Sequence, residues 1–223
     1  MCCDNVSLRG PIGEATIVDA TSPTRRSRLK TPIRILTAVV AALLAGMTWV
    51  YVFPREDDVP EHADAVLVLG PATHARTELA RRMVVAGIAK TLVVSVWWAD
   101  YIAPVGERDV SVCDDPTIVV ICFVAVPETT SGEGEVLAQL AQRNGWKDVI
   151  VITQTPHLER ARLILARCWD GRTWMRASAE PADLGGWIFE YAYQTAGYLK
   201  MLTTTRCAPP PRWIPILARP SMK

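Results

Sequence analysis

The longest apolar run in the 223-residue chain extends from Ile35 to Phe53, nineteen residues without a charge in which Thr37 and Thr48 are the strongly polar positions. Coiled as a helix, a segment of that length spans roughly 28 Å, close to the hydrocarbon thickness of a bilayer. No polar stripe recurs at helical spacing, as it would on a helix packed against a soluble core. The pattern predicts a transmembrane helix over 32–53. Arg25, Arg26, Arg28, Lys30 and Arg34 precede the run, whereas Arg55, Glu56, Asp57 and Asp58 follow it. Basic residues flanking a span stay on the cytoplasmic side, so the amino terminus is expected inside and the remainder outside. Trp49, Tyr51 and Phe53 fall at the outer end, where amphipathic rings favour the headgroup zone. The run outlasts the apolar core of a cleaved signal peptide, and Ala45-Gly46-Met47 makes a poor cleavage site. Thr24 to Lys30 resembles a twin-arginine export signal, with Arg28 where an aromatic residue is usual; that route leads to the same topology.

Beyond residue 63 the pattern changes. Short continuous apolar runs at 65–69, 91–96, 118–124 and 149–153, with a weaker one at 173–177, suit strands covered on both faces. Between them lie segments with helical periodicity. Leu79, Met83 and Ala86 share one side of 73–87, which Gly87 terminates; Val136, Leu137, Leu140 and Ala141 share one side of a helix that Ser131 can cap. Pro156 suits the first turn of a helix reaching about Arg167, and 184–202 reads as a closing helix rich in Trp, Phe and Tyr. Residues 97–116 lack a pattern. Strands alternating with helices predict a Rossmann-like three-layer α/β sandwich with a mainly parallel sheet. The expected organisation is a disordered cytoplasmic tail (1–31), the span (32–53), an acidic linker (54–63), the α/β domain (64–206) and a proline-rich tail (207–223).

Charge adds an exclusion. The whole chain carries a formal +1, but residues 1–34 hold +3 and residues 54–223 hold −2. No concentrated basic face exists for nucleic acid. Cys2 and Cys3 fall on the expected cytoplasmic side, while Cys113, Cys122, Cys168 and Cys207 fall outside. Four cysteines in an extracytoplasmic domain point to two disulfides, with three pairings open. No C-x-x-C pair or carboxylate–histidine spacing indicates a metal, and neither Gly-x-Ser-x-Gly nor Gly-x-Gly-x-x-Gly occurs.

In parallel sheets, ligands bind beyond the carboxyl ends of the strands. Four segments meet that rule: Gly70 to His74, Ser95 to Trp98, Pro127 to Glu135, and Thr153 to Arg162. Gly70, then Thr130 and Glu133 at a helix start, then the strand 149–153 followed by His157-x-x-Arg160-Ala161, form a series that resembles the YdcF-like family. That family also has a Ser-Gly-Gly element after its second strand; here Ser95 is followed by Val96 and Trp97. The resemblance covers roughly residues 63–180 and includes the preceding membrane helix. It implies a role in cell-envelope or cell-wall biogenesis. Some relatives associate with S-adenosylmethionine, but no acidic residue here is placed to hold a nucleoside, and no cofactor is expected.

His157 and Arg160, three residues apart, share a helix face near free backbone N–H groups, which suits a phosphate or carboxylate. Arg160 is the expected anion fork and His157 the acid–base or hydrogen-bonding group. Thr130, Glu133 and Thr153 are candidates for positioning a ligand, and Gly70 for close approach. Other readings stay open. Arg160 would pair with Glu133, His157 would cap its own helix, and Thr130 with Glu133 would form a capping box. Glu128 reads as a solvated loop charge, His74 and Arg76 as exposed helix-start residues, and His62 as an inert linker residue. Two functions compete. One is a membrane-anchored domain binding an anionic, phosphate-bearing envelope precursor. The alternative is a non-catalytic interaction domain, in which Trp97, Trp98 and Pro209-Pro210-Pro211 dock a partner protein or the bilayer.

Overall fold

The computed structural model describes residues 25–102, 108–204, 207 and 214–216. Residues 1–43 and 44–223 form separate compact units. The expected disordered tail lies outside the described residues up to position 24, as do Cys2, Cys3 and Pro209-Pro210-Pro211.

Helix α1 spans Arg25–Val52, so the helix begins within the basic segment, earlier than the hydropathy pattern indicates. Its portion Thr31–Val52 has a mean hydropathy of 2.1, and 6% of that window is buried. A core helix would be mostly buried. Among the described residues it is the one helix long and apolar enough to cross a membrane. Two of its hydroxyls are satisfied within the helix: Thr37 Oγ1 donates to the Ile33 carbonyl and Thr48 Oγ1 to that of Leu44.

The second unit is a three-layer α/β fold. Strands β1 (Ala63–Val68), β2 (Ala89–Ser95), β3 (Val119–Val124), β4 (Asp148–Gln154) and β5 (Arg172–Ser178) are all parallel, and β6 (Ile214–Ile216) is antiparallel at one edge. The spatial order is β5-β4-β1-β2-β3-β6. The chain thus steps outward from β1 to β3, then crosses back to lay β4 on the other side of β1. Helices α2 (His74–Val85), α3 (Trp98–Ile102), α4 (Thr130–Asn144), α5 (Leu158–Leu165) and α6 (Leu184–Thr203) connect or follow the strands.

Strand alternation feeds two cores. Leu67, Val93, Phe123 and Val151 meet Val136, Leu137 and Leu140 of α4 and Leu158, Ala161 and Leu165 of α5 on one face. Val66, Val68, Leu92, Val94 and Ile150 meet Ala80 and Met83 of α2, with Val112 from a short 3-10 turn, on the other. Val66, Leu67, Val68 and Val151 have no exposed surface, as expected of a central parallel strand covered on both sides.

The regions expected as linker and tail belong in part to this domain. Asp57 exchanges hydrogen bonds with the Met175 backbone, and Glu56 accepts from the Ala177 N–H, so acidic side chains cover the outer edge of β5. Cys207 is bonded to Cys168, and β6 pairs with β3. Cys113 is bonded to Cys122, which completes the two expected disulfides. The short antiparallel edge carries no long apolar run, which is why hydropathy alone did not mark it.

Candidate functional site

The reversal of strand order falls between β1 and β4. At such a switch point the connections leave toward opposite faces, opening a crevice at the carboxyl ends of the two strands. A cavity of about 800 Å³ occupies that place, lined by Gly70 from the end of β1, Gln154 and His157 from the end of β4, Thr130 from α4 and Arg160 from α5. It brings together all but one of the residues expected to form the site. The exception is Thr153. Its side chain is completely buried, its hydroxyl has no hydrogen-bond partner, and it does not line the cavity. Successive side chains on a strand point to opposite faces, and it is the next residue, Gln154, that faces the cavity.

Arg76, expected on an exposed helix start, is instead 2% exposed. Its Nε and Nη2 bind the two oxygens of Glu180 at 2.5 and 3.0 Å, Nη1 binds the carbonyls of Leu69 and Pro71, and Nη2 also binds Gln154 Oε1. All five guanidinium N–H groups are spent within the protein, so Arg76 braces the end of β1. His74 is exposed as expected and faces Asp109, whose hydrogen bond and charge raise its pKa.

Arg160 differs. Its Nε donates to Gln194 Oε1 at 2.8 Å, and its guanidinium lies 5.5 Å from the centre of the Tyr193 ring. Neither terminal nitrogen has a hydrogen-bond or carboxylate partner among the described residues, and the expected alternative of a pair with Glu133 is not formed. Gln194 is itself completely buried and held by Glu190 through Nε2–H···Oε2 at 2.9 Å. A Cβ at Gly197 would lie 2.8 Å from the Arg160 Cζ, so the glycine leaves the guanidinium room in this position. Three residues of α6 therefore surround the guanidinium of Arg160, which lines the cavity with its terminal nitrogens unpartnered among the described residues.

His157 sits in a 3-10 turn (Thr155–His157) ahead of α5 and caps nothing with its side chain. Its Nε2 lies 3.2 Å from Thr130 Oγ1, while Nδ1 is buried without a hydrogen bond of good geometry, although Gln194 lies beside the ring. Burial, then the charges of Arg160 and Arg76, push its pKa well below 6.5, so the ring is neutral at pH 7. Thr130 is the first residue of the fifteen-residue helix α4, and Thr130 and Ser131 both line the cavity. The positive end of that helix dipole thus points the same way as the Arg160 fork.

The expected capping box of Thr130 and Glu133 does not form, and neither Thr130 nor Ser131 caps the helix. Thr129 is the N-cap, accepting from the Gly132 N–H, so Glu133 is released from that role. Glu133 is buried and its Oε1 accepts the Gly70 N–H at 2.7 Å. Burial raises its pKa, against the opposing hydrogen bonds of Ser95 and Gly70. Where the resembled family has small residues, Trp97 lies over Gly70: a Cβ on Gly70 would stand 2.9 Å from the indole Nε1. Arg108 stacks 4.9 Å from the Trp97 ring centre and pairs with Asp100. Glu128 is exposed and accepts the Trp98 N–H.

Sequence reading missed Gln154, Glu180, Tyr193, Gln194 and Gly197. A glycine inside the closing helix costs about 1 kcal/mol relative to alanine and is a signal of close approach; at Gly197 that signal was present. The buried glutamine had none, because its partners come from other elements. Comparison of the chain with family models, with curated proteins and with solved structures finds no match.

Proposed function

We propose that this chain is a single-pass membrane-anchored YdcF-like domain in cell-envelope biogenesis, with an inside amino terminus and the α/β domain outside, binding an anionic, phosphate-bearing ligand at the switch-point cavity. The observation that carries the ligand class is the Arg160 fork, held in place by Gln194 and Tyr193 and open toward the cavity. The amino-terminal turn of α4 adds a second electropositive wall. A neutral His157 beside the Thr130 hydroxyl supplies a proton donor or acceptor at the bound group. Two disulfides support an oxidising compartment, and the basic residues before α1 support its orientation.

Thermal unfolding of the full chain in nanodiscs, with inorganic phosphate, pyrophosphate and phosphorylated envelope precursors, tests this. A ligand at 100 times its dissociation constant stabilises by about 2.7 kcal/mol. The native chain should shift upward and Arg160→Ala should not. Equal shifts in both would remove Arg160 from the site. Trp97 over Gly70 favours the competing reading, a non-catalytic interaction domain that docks a partner protein; no shift with any phosphate compound would decide for it.

A further inference from the structure

Helix α6 presents an apolar stripe that nothing among the described residues covers. Leu184, Ile188, Leu199 and Leu202 recur at helical spacing along one side and are 61–78% exposed. Ala192 completes the stripe. Its length, from Leu184 to Leu202, is roughly 27 Å at 1.5 Å per residue. Over twenty residues the helix carries two charges, Glu190 and Lys200, and both line the cavity rather than the stripe.

The neighbouring face of α6 packs on the last two turns of α1. Tyr191 donates its hydroxyl to Thr48 Oγ1 at 2.8 Å, Thr195 and Tyr51 share a hydrogen bond of 3.1 Å, and the Tyr51 ring meets those of Tyr191 and Tyr198 at 5.2 and 6.2 Å. Tyr51 is thereby 4% exposed. Thr48 and Tyr51 belong to the apolar span Thr31–Val52. Whatever touches them sits at the depth of the span's outer end. The exposed stripe lies beside this contact face on α6. Leaving it in water would put a long contiguous apolar surface against solvent, larger than single scattered side chains explain.

We infer that α6 is a second membrane contact, an interfacial helix whose Leu184–Ile188–Leu199–Leu202 stripe is buried in the outer part of the bilayer. The inference rests on the proposed anchoring of α1. Such helices bind by burying apolar area at the headgroup–acyl boundary. The tyrosines on the contact face suit that zone.

The test places the photocrosslinker p-benzoylphenylalanine singly at Leu43, Ile188, Leu202 or Val85 in the full chain, reconstituted in nanodiscs of phosphatidylethanolamine and phosphatidylglycerol. All four positions are exposed, so no core is disturbed. Leu43 reports the span, and Val85 lies at the end of α2 on the other side of the sheet. Lipid adducts at Leu43, Ile188 and Leu202, severalfold above Val85, are the expected result. Adducts at Leu43 without any at Ile188 and Leu202 would overturn the interfacial helix while leaving the anchor intact. Adducts from Ile188 to a second copy of the chain would overturn it in favour of a protein-covered face. Absence of a lipid adduct at Leu43 would overturn the anchor and the inference together.

Discussion

The Glu133 carboxylate, in the first turn of α4, accepts the backbone N–H of Gly70 at 2.7 Å, 63 positions earlier in the chain. The bond ties the end of β1 to the helix whose amino terminus lines the cavity. Glu133→Ala should leave a buried N–H unsatisfied and cost about 1–3 kcal/mol, measured by urea unfolding of the full chain in detergent micelles. Glu133→Gln keeps an acceptor and should lie close to the native chain at acid pH. Burial raises the carboxyl pKa, so its contribution is fully present below the unfolded value of 4.5 and is lost as pH rises through the folded value. The glutamine variant should therefore gain on the native chain as pH rises.

His157 gives a dependence in another window. Its folded pKa lies well below 6.5, whereas the unfolded chain takes up the proton near 6.5. The folded state then loses stability as pH falls through 6.5 toward the folded pKa. His157→Gln should show a smaller fall in Tm between pH 7 and pH 5 than the native chain. An identical fall in both would mean that the ring is protonated in the folded protein.

Arg76 and Glu180 form a buried pair, with side chains 2% and 17% exposed. Removing one partner leaves the other charge without compensation, and Arg76→Ala or Glu180→Ala should each cost about 3–5 kcal/mol. Arg76→Met combined with Glu180→Leu should cost much less than the two alanine losses together, because neither charge remains to be buried. Chemical denaturation of the native chain, the two alanine variants and the double variant checks this; a double-variant loss as large as the two alanine losses summed would contradict the pairing.

The long apolar helix, the five parallel strands and the longer helices between them were legible along the chain. The runs at 65–69 and 149–153 and the helical stripe of α4 depend on spacings of two to four residues, and burial on both faces of a strand leaves a continuous apolar run. The positions of Gly70, Thr130, Glu133, His157 and Arg160 around one cavity followed from the rule that parallel strands end on the same side.

Pairing between distant residues was not legible. Arg76 looks like any helix-start arginine until Glu180, 104 positions later, closes on it, and Arg160 bonds Gln194 and lies near Tyr193 of α6, with no pair to Glu133. The cap moved from Thr130 to Thr129, and that one-residue step turned Glu133 away from its own helix toward Gly70. Local periodicity selects helices, strands and a long apolar helix because each repeats a hydrophobic pattern at short range. Partners of buried polar groups are selected by the desolvation penalty at whichever site the packed layers leave closest, and that distance exists only once the sheet has assembled.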